Sequence, residues 1–130
     1  MIQGVRQYAQ TQVQTASGVQ LIVLLYDGMI QAMKLAQQSI RDNNSADKAR
    51  FLDRALRVVG ELSAVLDLDR GGVIAKDLQR IYEYVQYQLL QANLAHDGRH
   101  LDAPIKSLSV IREAWQELAE RGVRHEAIGQ

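Results

Sequence analysis

The sequence has no cysteine, one proline, one phenylalanine and one tryptophan in 130 residues. Without cysteine there is neither a disulfide framework nor a thiolate metal site, which suits a reducing cytosol. So little proline and so few aromatic residues favour helix over sheet, and the expected fold is all-α. Charge of one sign is missing as well. Fifteen basic residues balance fifteen acidic ones, so no excess draws the chain onto nucleic-acid phosphates or an anionic membrane. The longest strongly apolar run, residues 21–26, is far short of the roughly 20 residues that span a bilayer. Residues 1–16 are rich in Gln and Thr and lack the apolar core of a signal peptide. The expectation is a soluble, cytoplasmic chain with no nucleic-acid partner and no membrane insertion.

Catalytic constellations fail at the positions that matter. A di-iron bundle needs inward-facing Glu-x-x-His pairs, and no glutamate here has a histidine three residues later. Phosphotransfer needs a histidine exposed on a helix, whereas His96 and His100 flank an expected turn and His125 lies in the tail. Asp67-Leu68-Asp69-Arg70-Gly71-Gly72 begins like a calcium loop, but Gly71 takes the third ligand position and Leu78 the twelfth place, where glutamate is required. There is no phosphate-cradling glycine loop with a lysine, and no nucleophile with a base and an orienting group. The chain reads as a non-enzyme with no cofactor and no metal.

Helical periodicity divides the chain into four. Ser17 with Gln20 forms a capping box, and helix one runs to about Arg41. A turn cluster, residues 42–45, ends with Ser45 as the next cap. The rhythm Leu52, Ala55, Leu56, Val59, Leu62, Leu66 then carries helix two to about Asp69, where Arg70-Gly71-Gly72 ends it. Helix three places Ile74, Leu78, Ile81, Val85, Leu89 and Ala92 on one stripe and stops near Asp97-Gly98, the glycine supplying the left-handed cap. Asp102 and Pro104 start helix four, with Ile105, Leu108, Ile111, Trp115 and Leu118 on its stripe and Gly122 at its end. Short connections force antiparallel neighbours. The expected architecture is an up-and-down four-helix bundle over residues 17–122, with a partly ordered N-terminal arm (1–16) and a C-terminal tail (123–130).

Helix one is apolar over about 200° of its circumference, against the roughly 100° that one buried stripe requires. Ile22, Tyr26, Met29 and Met33 lie in this arc, and Phe51, Val58 and Val65 extend the stripe of helix two in the same way. Either each helix touches two neighbours, or a groove is left for another chain; the adaptable methionines suit both. On helix three, Tyr84 and Tyr87 are i and i+3 neighbours on the side of Arg80 and Gln91, away from the core stripe. Such rings serve as recognition surface or as ordinary surface decoration.

Four ordered patches resemble a known family. They are Gly4-Val5-Arg6-Gln7-Tyr8 with residues 15–28 (TASGVQLIVLLYDG), then Gly71-Gly72-Val73-Ile74-Ala75 with Leu78, then Ile81-Tyr82-Glu83-Tyr84-Val85, then Leu89-Leu90-Gln91-Ala92-Asn93-Leu94. Together they are similar to the flagellar export chaperones, the FliS family. That resemblance implies a cytoplasmic chaperone that covers the disordered C-terminal segment of flagellin, prevents premature polymerisation and keeps it competent for type III export. It also implies a flagellar export-gate component as second partner, and roles in client handling for Val5 and Tyr8. The departures are Gly18 where the family commonly has proline, and Val73 and Tyr87-Gln88 where it often has charge. The partner-binding candidates are thus Val5, Tyr8, Ile22, Tyr26, Met29, Tyr84 and Tyr87. The competing expectation is an unrelated helical adaptor whose apolar surplus forms a homodimer.

Overall fold

The computed structural model describes residues 16–129, with side chains described for 18–122. Four helices, α1 (Ala16–Arg41), α2 (Ser45–Ala64), α3 (Leu68–Ala95) and α4 (Asp102–Gly129), form an all-α bundle, with a 3₁₀ turn (Gly98–Leu101) ahead of α4. The short links reverse the chain each time, so the bundle is antiparallel.

α1 is the central element because it packs along both α2 and α4, whereas α3 packs along α2 and barely meets α4. These two flanking helices account for the broad apolar arc of α1. Ile22, Tyr26, Met29, Met33 and Ala36 are all buried, and Leu24 is the large apolar side chain of α1 left exposed. The stretch Gly18–Arg41 is long and apolar enough to cross a membrane, but half of it is enclosed by the other helices, as befits a core helix of a bundle. Each fully enclosed large side chain in this core, such as Leu89, Leu101 and Leu108, contributes roughly 1.5–3 kcal/mol by leaving water.

The element ends differ from expectation in five places. α1 already includes Ala16, so Ser17 stands inside the helix rather than capping it. Asn44, not Ser45, caps α2: its side-chain oxygen accepts from the Asp47 backbone N–H at 3.1 Å. α2 stops at Ala64 rather than near Asp69, because Asp67 starts a new turn by accepting from the Arg70 N–H at 3.1 Å. α3 ends one residue before His96, which takes the left-handed cap (φ 49°, ψ 49°) expected of Gly98. Hydrogen bonds hold it there, with His96 Nε2 2.9 Å from Asn43 Oδ1 and Nδ1 2.9 Å from Lys48 Nζ. Gly98 serves close approach instead, since a Cβ there would sit 3.2 Å from Gln37. Finally, the helical backbone of α4 continues past Gly122 to Gly129.

Two polar ties fix α4 against α1. Gln37 Nε2 donates to the Gly98 carbonyl at 2.8 Å and to Asp102 Oδ1 at 2.7 Å. Arg112 grips Asp27 at two points, Nε to Oδ1 at 2.8 Å and a terminal nitrogen to Oδ2 at 3.2 Å. The second carboxylate beside it, Glu113, helps Asp27 hold the guanidinium in its charged form.

The 3₁₀ turn carries a titratable cap. Asp97 Oδ1 accepts from the Arg99 N–H at 2.9 Å, and its carboxylate is clasped by the Arg99 guanidinium. Those bonds, the side-chain ones foremost, lower its pKa from 3.8 to about 2. A depressed acid adds stability that is complete above its unfolded value and is lost as pH falls through its folded one. A carboxyl NMR titration is therefore expected to place the Asp97 midpoint near 2 in the folded chain, and Arg99→Ala to return it towards the ordinary aspartate range.

Candidate partner-binding surface

Helix α3 has one filled face and one bare face. Ala75, Leu78, Tyr82, Val85, Leu89 and Ala92 form its inward stripe, with Leu78 partly covered and the others buried. Tyr82 is in this stripe although the sequence reading passed over it for Ile81. Tyr87 lies on the side diametrically opposite that stripe at 100° per residue, with Tyr84, Leu90 and Leu94 flanking it. They are 57 %, 41 %, 50 % and 71 % exposed respectively. Of the eleven large apolar side chains left exposed among the described residues, seven belong to α3. Apolar exposure is thus concentrated on one helix rather than scattered singly as on an ordinary surface.

The same helix borders a cavity of about 640 Å³ at the end of the bundle where α1 and α3 begin. Ile22, Leu62, Val65, Leu66, Leu78, Tyr82 and Trp115 form its apolar wall, and Asp67, Asp69 and Arg70 its rim. Ile74 lies at this opening and is 72 % exposed, because the core it was expected to join is unfilled there. Leu118, expected in the stripe of α4, is likewise exposed while the small Ala119 is buried.

Beneath the cavity, Tyr26 of α1 and Tyr82 of α3 meet across the bundle diagonal. Their hydroxyls are 2.6 Å apart and their rings cross at 61° with centroids separated by 6.3 Å. The backbones of α1 and α3 make no close approach, so these rings bridge the diagonal. Burial raises the pKa of both phenols, and in Tyr82 the neighbouring Tyr26 adds to the rise. Both are neutral. The Trp115 indole lies on the Tyr26 side of the pair, near enough to offset part of that rise, yet among the described residues its buried Nε1–H has no partner in hydrogen-bonding geometry.

The seven candidates are not brought together. Tyr84 and Tyr87 stand on the bare face of α3. Ile22, Tyr26 and Met29 are buried core residues, Tyr26 and Met29 completely, so they lie under the surface rather than on it; only Ile22 reaches the cavity wall. Their apolar arc is occupied by α2 and α4. Val5, Tyr8 and the side chain of Ser17 lie outside the described residues. Leu90 and Leu94 were missed as surface residues, although their spacing of three and seven residues from Tyr87 puts them on its face. Among the described residues, no group of acidic, histidine or cysteine side chains is placed to hold a metal.

Comparison with known proteins bears on what this helical surface serves. The sequence matches the family described as flagellar protein FliS over residues 1–122. It is 34 % identical over 123 residues to the flagellar secretion chaperone FliS of Salmonella typhimurium, covering 91 % of each chain. To the flagellar secretion chaperone FliS of Escherichia coli it is 31 % identical over 119 residues, 88 % of each chain. To the flagellar secretion chaperone FliSB of Pseudomonas aeruginosa it is 29 % identical over 122 residues, covering 91 % of this chain and 97 % of the relative. The chain therefore belongs to the FliS family of flagellar secretion chaperones, and it is a chaperone rather than an enzyme.

Proposed function

We propose that this chaperone binds the C-terminal segment of flagellin in the cytoplasm, covers its apolar side chains and so prevents polymerisation before export. The observation that carries the reading is the concentration of exposed apolar side chains on α3, from the bundle-end cavity to Leu94. Residues 74 to 94 of a helix span about 30 Å at 1.5 Å per residue. A track of that length suits an extended client that becomes helical as it docks, the ordering entropy being offset by several buried anchors. The loaded complex would then pass to a component of the export gate.

α1 begins at the cavity end, where Ile22 lines the wall, and the arm, residues 1–15, is joined to it there. In this reading Val5 and Tyr8 cover the apolar surface until the client displaces them. Deleting residues 1–14 is expected to tighten binding of a flagellin C-terminal peptide several-fold in calorimetric titration; weaker binding would make the arm a contact instead of a lid.

Calorimetric titration of the intact chain with the C-terminal peptide of the host's own flagellin tests the main reading. Heat with one-to-one stoichiometry, and a sizing profile that converts from monomer to one-to-one complex, are expected. Neither heat nor complex would refute it, and a stable homodimer indifferent to flagellin would favour the adaptor alternative.

A further inference from the structure

We infer that the first turn of α3, residues 68–71, is a flap hinged at Gly72 that closes over the bundle-end cavity when a client segment enters it. The inference rests on the client reading above and adds a moving part to that site.

The hinge is visible in the backbone. Gly72 has φ 56° and ψ −131° in the midst of otherwise helical residues, a conformation essentially restricted to glycine. A helix interrupted there is two rigid pieces joined at one residue. On the N-terminal side, the turn is self-contained. The Arg70 N–H donates to Asp67 Oδ1 at 3.1 Å, the Gly71 N–H to the Asp67 carbonyl at 2.7 Å, and the Arg70 guanidinium pairs with Asp67 at 3.7 Å. No side-chain hydrogen bond or ion pair among the described residues ties this turn to α1, α2 or α4. Local capping keeps the turn helical while nothing polar among the described residues anchors it to the bundle, which is the makeup of a segment that moves as a unit.

Position supplies the function. Asp67, Asp69, Arg70 and Gly71 form one side of the cavity, and the opposite side is fixed core: Leu62, Tyr82 and Trp115 among others. Residues 67–74 are all exposed. Leu68 on the turn, and Val73 beside the hinge at 74 % exposure, leave apolar surface in water in the open position. Closing on an apolar client segment buries this surface, so occupancy of the cavity and closure of the flap favour each other. Gly71 sets how closely the turn folds back on α3, since a Cβ there would lie 2.5 Å from that of Ala75.

Amide hydrogen exchange on the full chain, alone and with the flagellin C-terminal peptide, tests the flap. In the free protein the Arg70 and Gly71 amides are expected to exchange at least about 100-fold faster than those of Val85 and Leu89, and to slow at least about tenfold in the complex. Exchange in the free protein as slow as at Val85 overturns the hinge. A complex that forms without slowing Arg70 and Gly71 overturns closure while leaving the client reading intact. Absence of any complex overturns the client reading, and closure with it. Leu68→Ser provides a second measurement, because Leu68 does not line the open cavity. It is expected to speed peptide release on the order of tenfold with an unchanged urea midpoint, whereas an unchanged release rate means a rigid wall and overturns the proposal.

Discussion

Tyr82→Ala is expected to remove about 3–5 kcal/mol of stability, as large aromatic truncations in cores do. That is a large share of the roughly 5–15 kcal/mol that holds a domain together. Tyr82 is 2 % exposed, forms the middle of the inward stripe of α3 and meets Tyr26 across the bundle diagonal. Its loss leaves an empty volume continuous with the existing cavity, so the surrounding side chains have no support towards which to relax. The hydroxyl pair itself gives a finer result. Tyr82→Phe and Tyr26→Phe each delete one oxygen of the same hydrogen bond, yet they are expected to differ. In Tyr82→Phe, the surviving Tyr26 oxygen has the unpartnered Trp115 Nε1–H beside it as a replacement donor. In Tyr26→Phe, the Tyr82 hydroxyl is stranded and Trp115 gains nothing. The expected losses are below about 1 kcal/mol for Tyr82→Phe and about 1–3 kcal/mol for Tyr26→Phe. Urea unfolding measures both, and emission from Trp115, the sole tryptophan, reports the changed indole environment. Equal losses would mean that the indole does not move to replace the missing hydroxyl.

The chain spells out its helices better than their faces. Period and composition suffice for four antiparallel helices, because residues such as Val59, Leu89 and Leu108 recur at helical spacing and the breaks between them are short. Choosing among adjacent apolar candidates is harder. On α3 the true stripe passes through Ala75 and Tyr82 rather than Ile74 and Ile81, because a tyrosine whose hydroxyl finds a buried partner enters a core as readily as an isoleucine. That partner, Tyr26, is 56 positions away and no local pattern announces it. On α4, Ala119 is buried and Leu118 is not, and two adjacent apolar residues offer no local pattern that says which of them faces inward. The breadth of the apolar arc on α1 was legible, but its meaning depended on how many helices pack against it. Two do, so Ile22, Tyr26 and Met29 became core. Tyr84 and Tyr87 could be placed on the bare side of α3 because that judgement needs only the angle to the stripe. The cavity had no sequence signal, since it arises from the weak approach of α3 to α4 and from the break at Gly72.

The double substitution Tyr87→Ala with Leu94→Ala is expected to weaken binding of the flagellin C-terminal peptide on the order of 100-fold while leaving the fold intact, the loss being that of two apolar anchors. The separation of the two effects follows from geometry. Tyr87 points directly away from the inward stripe, Leu94 sits 20° from Tyr87 in projection, and neither is among the buried residues of the core. Substitutions at such positions ordinarily shift stability by no more than about 0.5 kcal/mol, so the urea midpoint should stay in place. Binding differs because both side chains then pass from water into a shared interface, and a truncated anchor loses that burial completely. Pairing the same two changes with Leu68→Ser separates the two ends of the track. If one continuous client lies along α3, the losses at the flap and at the far end should combine with little coupling, since Leu68 stands 19 residues from Tyr87 and 26 from Leu94, with no shared neighbours. If the double variant binds the peptide with unaltered affinity, the client does not follow the bare face of α3. Its anchors would then be confined to the bundle-end cavity, and the exposed tyrosines would be decoration.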